Sequence, residues 1–169
     1  TVVPSPLQHF WSLSVQGQVF VLWPILIALT LLITRRMAVR ARTALIWLFA
    51  IVGAASFVYS VMITESNQAF AYFDTFARLW EFALGSLLAL LTPWLRLPRV
   101  LAVIVGWVGL VALILCGLLL DVRGGFPGYL ALWPTLAAAA VIIAGETVTR
   151  AGPAGFLSSW PLQRLATIA

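Results

Sequence analysis

Long apolar runs alternate with short polar stretches along this chain, and the pattern predicts a series of membrane-spanning helices. A helix needs about 20 mostly apolar residues to cross the hydrocarbon core of a bilayer, and several runs here approach or reach that length. We place five full spans at residues 19–33, 44–63, 73–91, 100–120 and 129–144, and the start of a sixth at residue 162. The sequence therefore predicts an all-α fold, a polytopic bundle of membrane helices.

The composition supports this class and excludes a soluble helical domain. Hydrophobic residues make up 63% of the 169 residues and charged residues only 9%, against about a quarter in soluble domains. Such a chain has too few polar residues to cover an apolar core in water. The single cysteine, Cys116, lies inside an apolar run and cannot form a disulfide within the chain.

The arginines predict which side of the membrane each loop faces. All ten basic residues are arginine. The loops after the first, third and fifth spans hold Arg35, Arg36, Arg40, Arg42, Arg96, Arg99 and Arg150. The opposite loops hold Arg123, with Arg78 at or inside the third span. The arginine-rich side is therefore predicted to be cytoplasmic. Because the charges are scattered among apolar spans, they indicate a lipid bilayer as partner and no nucleic acid.

A polar cluster, QHFWSLSVQGQ, precedes the first apolar run and contains the only histidine of the chain. On a helix, His9, Ser12 and Gln16 fall on one face, and Ser14 and Gln18 fall together on another. Polar groups near lipid are costly unless they pair or line a wet cavity. Two interpretations stay open at this point: an interfacial helix start with structural hydrogen bonds, or one wall of a functional cavity.

A second polar group lies at the start of the third span. Asp74, Arg78, Glu81 and Gly85 are spaced by four, three and four residues, so on one continuous helix they share a face. An ion pair that merely holds the helix end at the interface would explain them and would stabilise little. Alternatively, they converge with the His9 cluster, which is predicted on the same side of the membrane, and form one cavity.

Four stretches resemble a known family. The first, SPLQHFWSLSVQGQVFVLWP, is similar to the signature of the acyltransferase 3 family of integral membrane O-acyltransferases, which typically reads SPLQHFWSLSVEEQFYLLWP. The resemblance continues through AYFDTFARLWEFALGSLLALL and FPGYLALWPTLAAAAVIIAG, and ends at LSSWPLQRL. It covers nearly the whole chain in the order of the family.

The resemblance implies transfer of an acyl group, often acetyl, to hydroxyls of surface or exported carbohydrate. It implies acyl-CoA, with acetyl-CoA as the expected form, as a donor substrate from the cytoplasm, and no bound cofactor. The location would be a multi-pass position in a bacterial plasma membrane. Residues 1–169 would form the central part of the acyltransferase domain, without the first and last helices of the family.

The same resemblance supplies candidate site residues. The predicted catalytic residues are His9, Arg78 and Glu81, and the predicted substrate-binding residues are Ser14, Gln16, Gln18 and Tyr72. The imidazole could act as base or orient one, the guanidinium could bind an anionic group or developing negative charge, and the carboxylate could fix the guanidinium. Gln16 stands where the family usually has glutamate, which removes an ionisable group. The sequence holds no metal cluster, no G-x-S-x-G elbow and no P-loop.

Two other functions remain possible on the sequence alone. One is a transport protein, or one that presents the acceptor, on the same scaffold. It would be favoured by charged residues near the middle of several spans, and the spans at 44–63 and 100–120 have none. The other is an inactive, truncated paralogue, which Gln16 and the absent flanking helices would favour.

Overall fold

The computed structural model describes residues 8–37, 40–95, 97–119, 128–147 and 153, with the backbone alone for residues 8–16 and 69. Over these residues the chain forms six α-helices and two short 3₁₀ turns, with no strand, so the predicted all-α fold is confirmed. The α-helices are α1 (Gln8–Met37), α2 (Ala41–Ser66), α3 (Gln68–Phe73), α4 (Leu79–Leu91), α5 (Arg99–Leu119) and α6 (Leu132–Gly145). The 3₁₀ turns are Thr92–Trp94 and Tyr129–Ala131.

Three of these helices are long and apolar enough to cross a membrane. They are α1 from Gly17 onward, α2 and α5. Helices α4 and α6 are apolar but have only 13 and 14 residues. The polar cluster around His9 is part of α1, as expected, because the helix begins at Gln8. The limits of the membrane spans themselves stay predictions.

The largest difference from the sequence-based expectation lies between α2 and α4. Residues 64–74 were expected to form a loop, and residues 73–91 one helix. Instead α2 continues to Ser66 and the short helix α3 follows. The Asn67 side chain accepts a hydrogen bond from the amide of Phe70 at 3.1 Å and so caps α3 at its start.

The chain forms two compact units, and the first contains the described residues up to Leu90. An aromatic cluster joins its three longer helices. The Trp23 ring of α1 stacks on Phe49 of α2, with the ring centroids 5.4 Å apart, and meets the edge of Phe82 of α4 at 6.1 Å. The indole nitrogen of Trp23 also donates to Ser86 Oγ on α4 at 2.7 Å. This cluster ties α1, α2 and α4 into one body.

At the other end of the same unit, Arg42 of α2 binds the last turn of α4. Its Nε donates to the Leu90 carbonyl oxygen at 3.2 Å, and its Nη2 contacts the same oxygen. The final carbonyls of a helix lack intrahelical partners and carry partial negative charge, so a guanidinium there stabilises the helix end.

The second unit begins at Leu91 and is built on the pair α5 and α6. Small residues let the two backbones approach closely. A methyl group added at Gly109 of α5 would lie 2.9 Å from the Ala137 carbonyl oxygen and 3.0 Å from the Ala140 Cβ. The Trp133 indole of α6 donates across the pair to the Ala112 carbonyl oxygen at 3.1 Å. Close packing of small residues is the usual basis of helix association in membranes.

Candidate functional site

The candidate site lies at the break between α3 and α4, which we call the Arg78 turn (residues 74–78). Asp74 ends α3 in an extended conformation, and its Oδ1 accepts a hydrogen bond from the amide of Phe76 at 3.0 Å. The amide of Arg78 donates to the Thr75 carbonyl oxygen at 3.1 Å. An aspartate that binds the amide two residues later favours a turn over a helix.

The prediction that Asp74, Arg78, Glu81 and Gly85 share the face of one helix is therefore wrong. Glu81 and Gly85 belong to α4, whereas Asp74 and Arg78 belong to the turn before it. Arg78 and Glu81 still come together, because Arg78 directly precedes α4 and Glu81 lies in its first turn.

A serine of α2 holds this turn in place. The Ser56 hydroxyl donates to the Phe76 carbonyl oxygen at 2.6 Å and accepts from the amide of Trp80 at 2.9 Å. The Ser56 residue is buried, with 7% of its surface exposed. One hydroxyl therefore bonds to the backbone on both sides of Arg78.

The contact with Ser56 also shows where along α2 the turn lies. Ser56 lies ten residues before the end of α2 at Ser66, which corresponds to about 15 Å along the helix axis. It lies about 10 Å below Ile63, where the span is predicted to end. Non-helical backbone at membrane depth is tolerated only when it is buried in protein or lines a wet cavity. If the span ends at Ile63 as predicted, the Arg78 turn is such a recessed segment.

Within the described part of the chain, Arg78 lies near the side chains of Glu81 and Tyr72. Its Nε lies 3.8 Å from Glu81 Oε1, and its guanidinium carbon lies 5.8 Å from the centre of the Tyr72 ring. The Arg78–Glu81 distance is that of an ion pair but too long for a hydrogen bond, and Glu81 Oε1 is buried without a hydrogen bond among the described residues. About a quarter of each charged side chain is exposed, 27% for Arg78 and 25% for Glu81.

The position of Arg78 is unfavourable for helix stability. It immediately precedes the first residue of α4, where serine, threonine, aspartate or asparagine would accept hydrogen bonds from the helix amides. Arginine has no acceptor, and a cation at a helix N-terminus opposes the helix dipole. Glu81 in the first turn offsets the charge, and Ser56 supplies the missing acceptor from α2. A residue that breaks a local rule with compensation from elsewhere indicates a functional position.

Helix α1 contacts the turn through Gln18. The Thr75 hydroxyl donates to Gln18 Oε1 at 3.0 Å on the exposed side of the turn. The Tyr59 hydroxyl of α2 interacts with the Asp74 carboxylate at the same turn. Helices α1 and α2 therefore both contact the Arg78 turn.

The predicted site residues fall into two groups. The structure brings Arg78, Glu81 and Tyr72 together, and it places Gln18 against the turn that carries Arg78. The backbones of His9, Ser14 and Gln16 lie in α1, while their side chains lie outside the described part of the chain. Their proposed roles stay predictions.

The sequence-based reasoning missed Ser56. Ser56, Ser60 and Thr64 recur at four-residue spacing in an apolar run, and all three are buried, with 7%, 0% and 8% of their surfaces exposed. This polar stripe on one face of α2 was the available signal. Among the described residues, no group of three histidine, cysteine, aspartate or glutamate side chains is placed to hold a metal ion.

The arrangement provides a partly exposed guanidinium beside a carboxylate, in a recessed turn lined by an aromatic ring. Such a fork can bind an anionic group or stabilise developing negative charge. Among the described side chains of the turn there is no imidazole, and the only basic oxygens are those of carboxylates. The one histidine of this chain, His9, lies in the first turn of α1.

The chain is similar to several bacterial proteins. It is 30% identical over 145 residues to a protein of Komagataeibacter xylinus provisionally named as a membrane-bound transacylase, an alignment that covers 86% of this chain and 35% of the relative. It is 30% identical over 94 residues to a Bacillus subtilis protein provisionally named as a peptidoglycan O-acetyltransferase, which covers 56% of this chain and 14% of the relative.

A Staphylococcus aureus protein provisionally named as an O-acetyltransferase is 31% identical over 121 residues, which covers 68% of this chain and 19% of the relative. The chain thus spans about a third or less of the length of these relatives. No family model and no solved structure matches it. The apolar helices and these similarities together make the chain a multi-pass membrane protein related to bacterial proteins named for O-acetyl or acyl transfer.

Proposed function

We propose that the protein belongs to the acyltransferase 3 family and takes part in the transfer of an acyl group, often acetyl, from acyl-CoA on the cytoplasmic side to carbohydrate hydroxyls at the cell surface. The observation that carries the proposal is the Arg78–Glu81 pair at a break between two helices, in a chain related to proteins named for acyl transfer. Ionisable groups inside a membrane bundle are costly and mark functional sites.

The roles of the residues follow from what acyl transfer requires. The acceptor hydroxyl must lose its proton to a base while it attacks the acyl carbonyl, whose oxygen then becomes negatively charged. In this proposal Arg78 stabilises that oxygen or an anionic group of a substrate, and Glu81 orients the guanidinium. His9 removes the proton from the acceptor hydroxyl. Tyr72 packs against Arg78, and Gln18 lies beside the turn, where its amide can hydrogen bond a hydroxyl.

The remaining residues of the motif act on substrate in the same proposal. Ser14 and Gln16 provide hydrogen-bonding groups on the first turns of α1, close in sequence to His9. A carbohydrate acceptor presents many hydroxyls, which such groups bind readily.

The test is Arg78→Lys in the protein expressed from its complete gene. Lysine keeps the charge but lacks the planar fork, so we expect turnover to fall by about 10² to 10³, the cost of losing one preorganised oxyanion donor. The assay follows label from acetyl-CoA into surface glycan in membrane preparations. Arg99→Lys is the matched control, because Arg99 is exposed at the start of α5 and lies in the other compact unit.

Unchanged turnover in Arg78→Lys, at normal expression, would reduce the Arg78–Glu81 pair to a structural role. Absence of any transfer by the unaltered protein would favour a transport or acceptor-presenting function or an inactive paralogue. Against transport, the charged residues of α2 and α5 lie near the helix ends, at Arg42, Glu65 and Arg99.

A further inference from the structure

We propose that Ser56 is a positioning residue that fixes Arg78 for acyl transfer. The inference rests on the proposed function for its catalytic part and on the hydrogen bonds of α2 for its structural part. Ser56 is outside every stretch that resembles the family, since it lies in the apolar span between the SPLQHFW stretch and the AYFDTFARLWE stretch.

Helix α4 needs a hydrogen-bond acceptor for its first amides that the residues before it do not offer. The amide of Trp80 is one of the first amides of α4, which have no partner within the helix. Arg78, directly before the helix, has no acceptor in its side chain, and the side chain of Ala77 has no polar atom. The Asp74 carboxylate, at the start of the turn, already accepts from the Phe76 amide.

The Ser56 hydroxyl forms hydrogen bonds with backbone groups on both sides of Arg78. It accepts from the amide of Trp80, two residues after Arg78, and donates to the carbonyl of Phe76, two residues before it. A hydroxyl has one proton to donate, so these two short bonds fix its orientation. The backbone on both sides of the guanidinium is thereby tied to one atom of α2.

Loss of these two hydrogen bonds would displace Arg78. Without the hydroxyl, the buried Trp80 amide would lose its acceptor and the Phe76 carbonyl would lose its donor, and the turn would move to find other partners. A displacement of about 1 Å at a catalytic group can cost about 10²-fold in rate. Ser56 acts on the reaction through the position of Arg78 and does not itself touch substrate.

The experiment compares three variants in the full-length protein in detergent or nanodiscs. Ser56→Ala removes both bonds, and Ser56→Thr keeps a hydroxyl. Ser60→Ala is the matched control, because Ser60 is fully buried one turn further along the same face and its hydroxyl makes no hydrogen bond among the described residues. Hydrogen exchange of peptides that cover residues 76–80 is measured alongside kcat and KM.

We expect amide exchange at residues 76–80 to become at least about tenfold faster in Ser56→Ala, because the Trp80 amide loses its acceptor. The kcat should fall by about 10- to 100-fold with KM changed by less than about threefold, since the loss falls on the transition state. Ser56→Thr should restore both values, and Ser60→Ala should leave both unchanged.

A double-mutant cycle separates positioning from general destabilisation. If Ser56 acts through Arg78, Ser56→Ala should cost little further activity in an Arg78→Lys background. An equal loss in both backgrounds, or unchanged exchange at residues 76–80 in Ser56→Ala, would overturn the proposal. If the unaltered protein transfers no acyl group, the proposed function fails, and the exchange measurement alone decides whether Ser56 holds the turn.

Discussion

At Gly109 the packing of α5 against α6 leaves no room for an added methyl group. An alanine Cβ there would lie 2.9 Å from the Ala137 carbonyl oxygen, a backbone atom that cannot rotate away, and 3.1 Å from Val141 Cγ2. Ordinary contact begins near 3.4 Å, so the helices must separate by about 0.5 Å at this point. Overpacking of this kind costs about 1–3 kcal/mol.

The intrinsic helix preference of alanine over glycine works in the opposite direction, by up to about 1 kcal/mol. Gly117→Ala isolates that gain, because no atom lies within 4 Å of a Cβ at Gly117 on the same helix. We therefore expect Gly109→Ala to be less stable than Gly117→Ala by about 1–3 kcal/mol.

Reversible unfolding in a detergent–SDS titration measures this difference, and the fluorescence of Trp133, whose indole bonds across the pair, reports on helix separation. Equal unfolding free energies for Gly109→Ala and Gly117→Ala would refute the close approach of the two backbones.

Two further predictions concern topology and the motif in α1. In a Cys116→Ala background, Ala38→Cys should resist an impermeant thiol reagent in intact cells, whereas Ser66→Cys, at the exposed end of α2, should react, because the arginine-rich side is predicted to be cytoplasmic; labelling at residue 38 would contradict this. If the family glutamate accepts a proton, Gln16→Glu in the full-length protein should raise transfer to surface glycan by about 10² to 10⁴, whereas equal, substantial activity in both forms would show that this position needs no charge.

The apolar pattern was sufficient to predict the long helices but not the break before α4. A run such as 44–63 has few alternatives to a helix in a membrane, because every backbone polar group must be satisfied internally. The segment from 74 to 78 contains no glycine or proline, so the sequence showed no strong helix breaker. The break depends on Asp74, which binds its own backbone, and on Ser56, which is distant in sequence and satisfies the freed groups.

The site shows the same division between local and long-range information. Motif spacing identified Arg78 and Glu81 as neighbours, and they are, although through a turn and the first turn of α4 and not along one helical face. The arginine asymmetry predicted that the polar stretch at the start of α1 and the Tyr72 segment face the same side, and a hydrogen bond from Thr75 to Gln18 joins the turn after Tyr72 to α1. The tether at Ser56 needs the packing of α2 against the turn, which no local pattern encodes.

The predicted depth of the Arg78 turn would place its charges in the electric field of the membrane. A unit charge that crosses the whole bilayer changes in energy by about 2.3 kcal/mol per 100 mV. At about 10 Å into a core of about 30 Å, an isolated arginine would feel roughly a third of this, which is a several-fold change in any equilibrium that moves it. An ionised Arg78–Glu81 pair sums to zero charge at nearly the same depth, so the potential would do little net work on the pair. The pairing would therefore make an arginine inside the membrane nearly insensitive to the membrane potential.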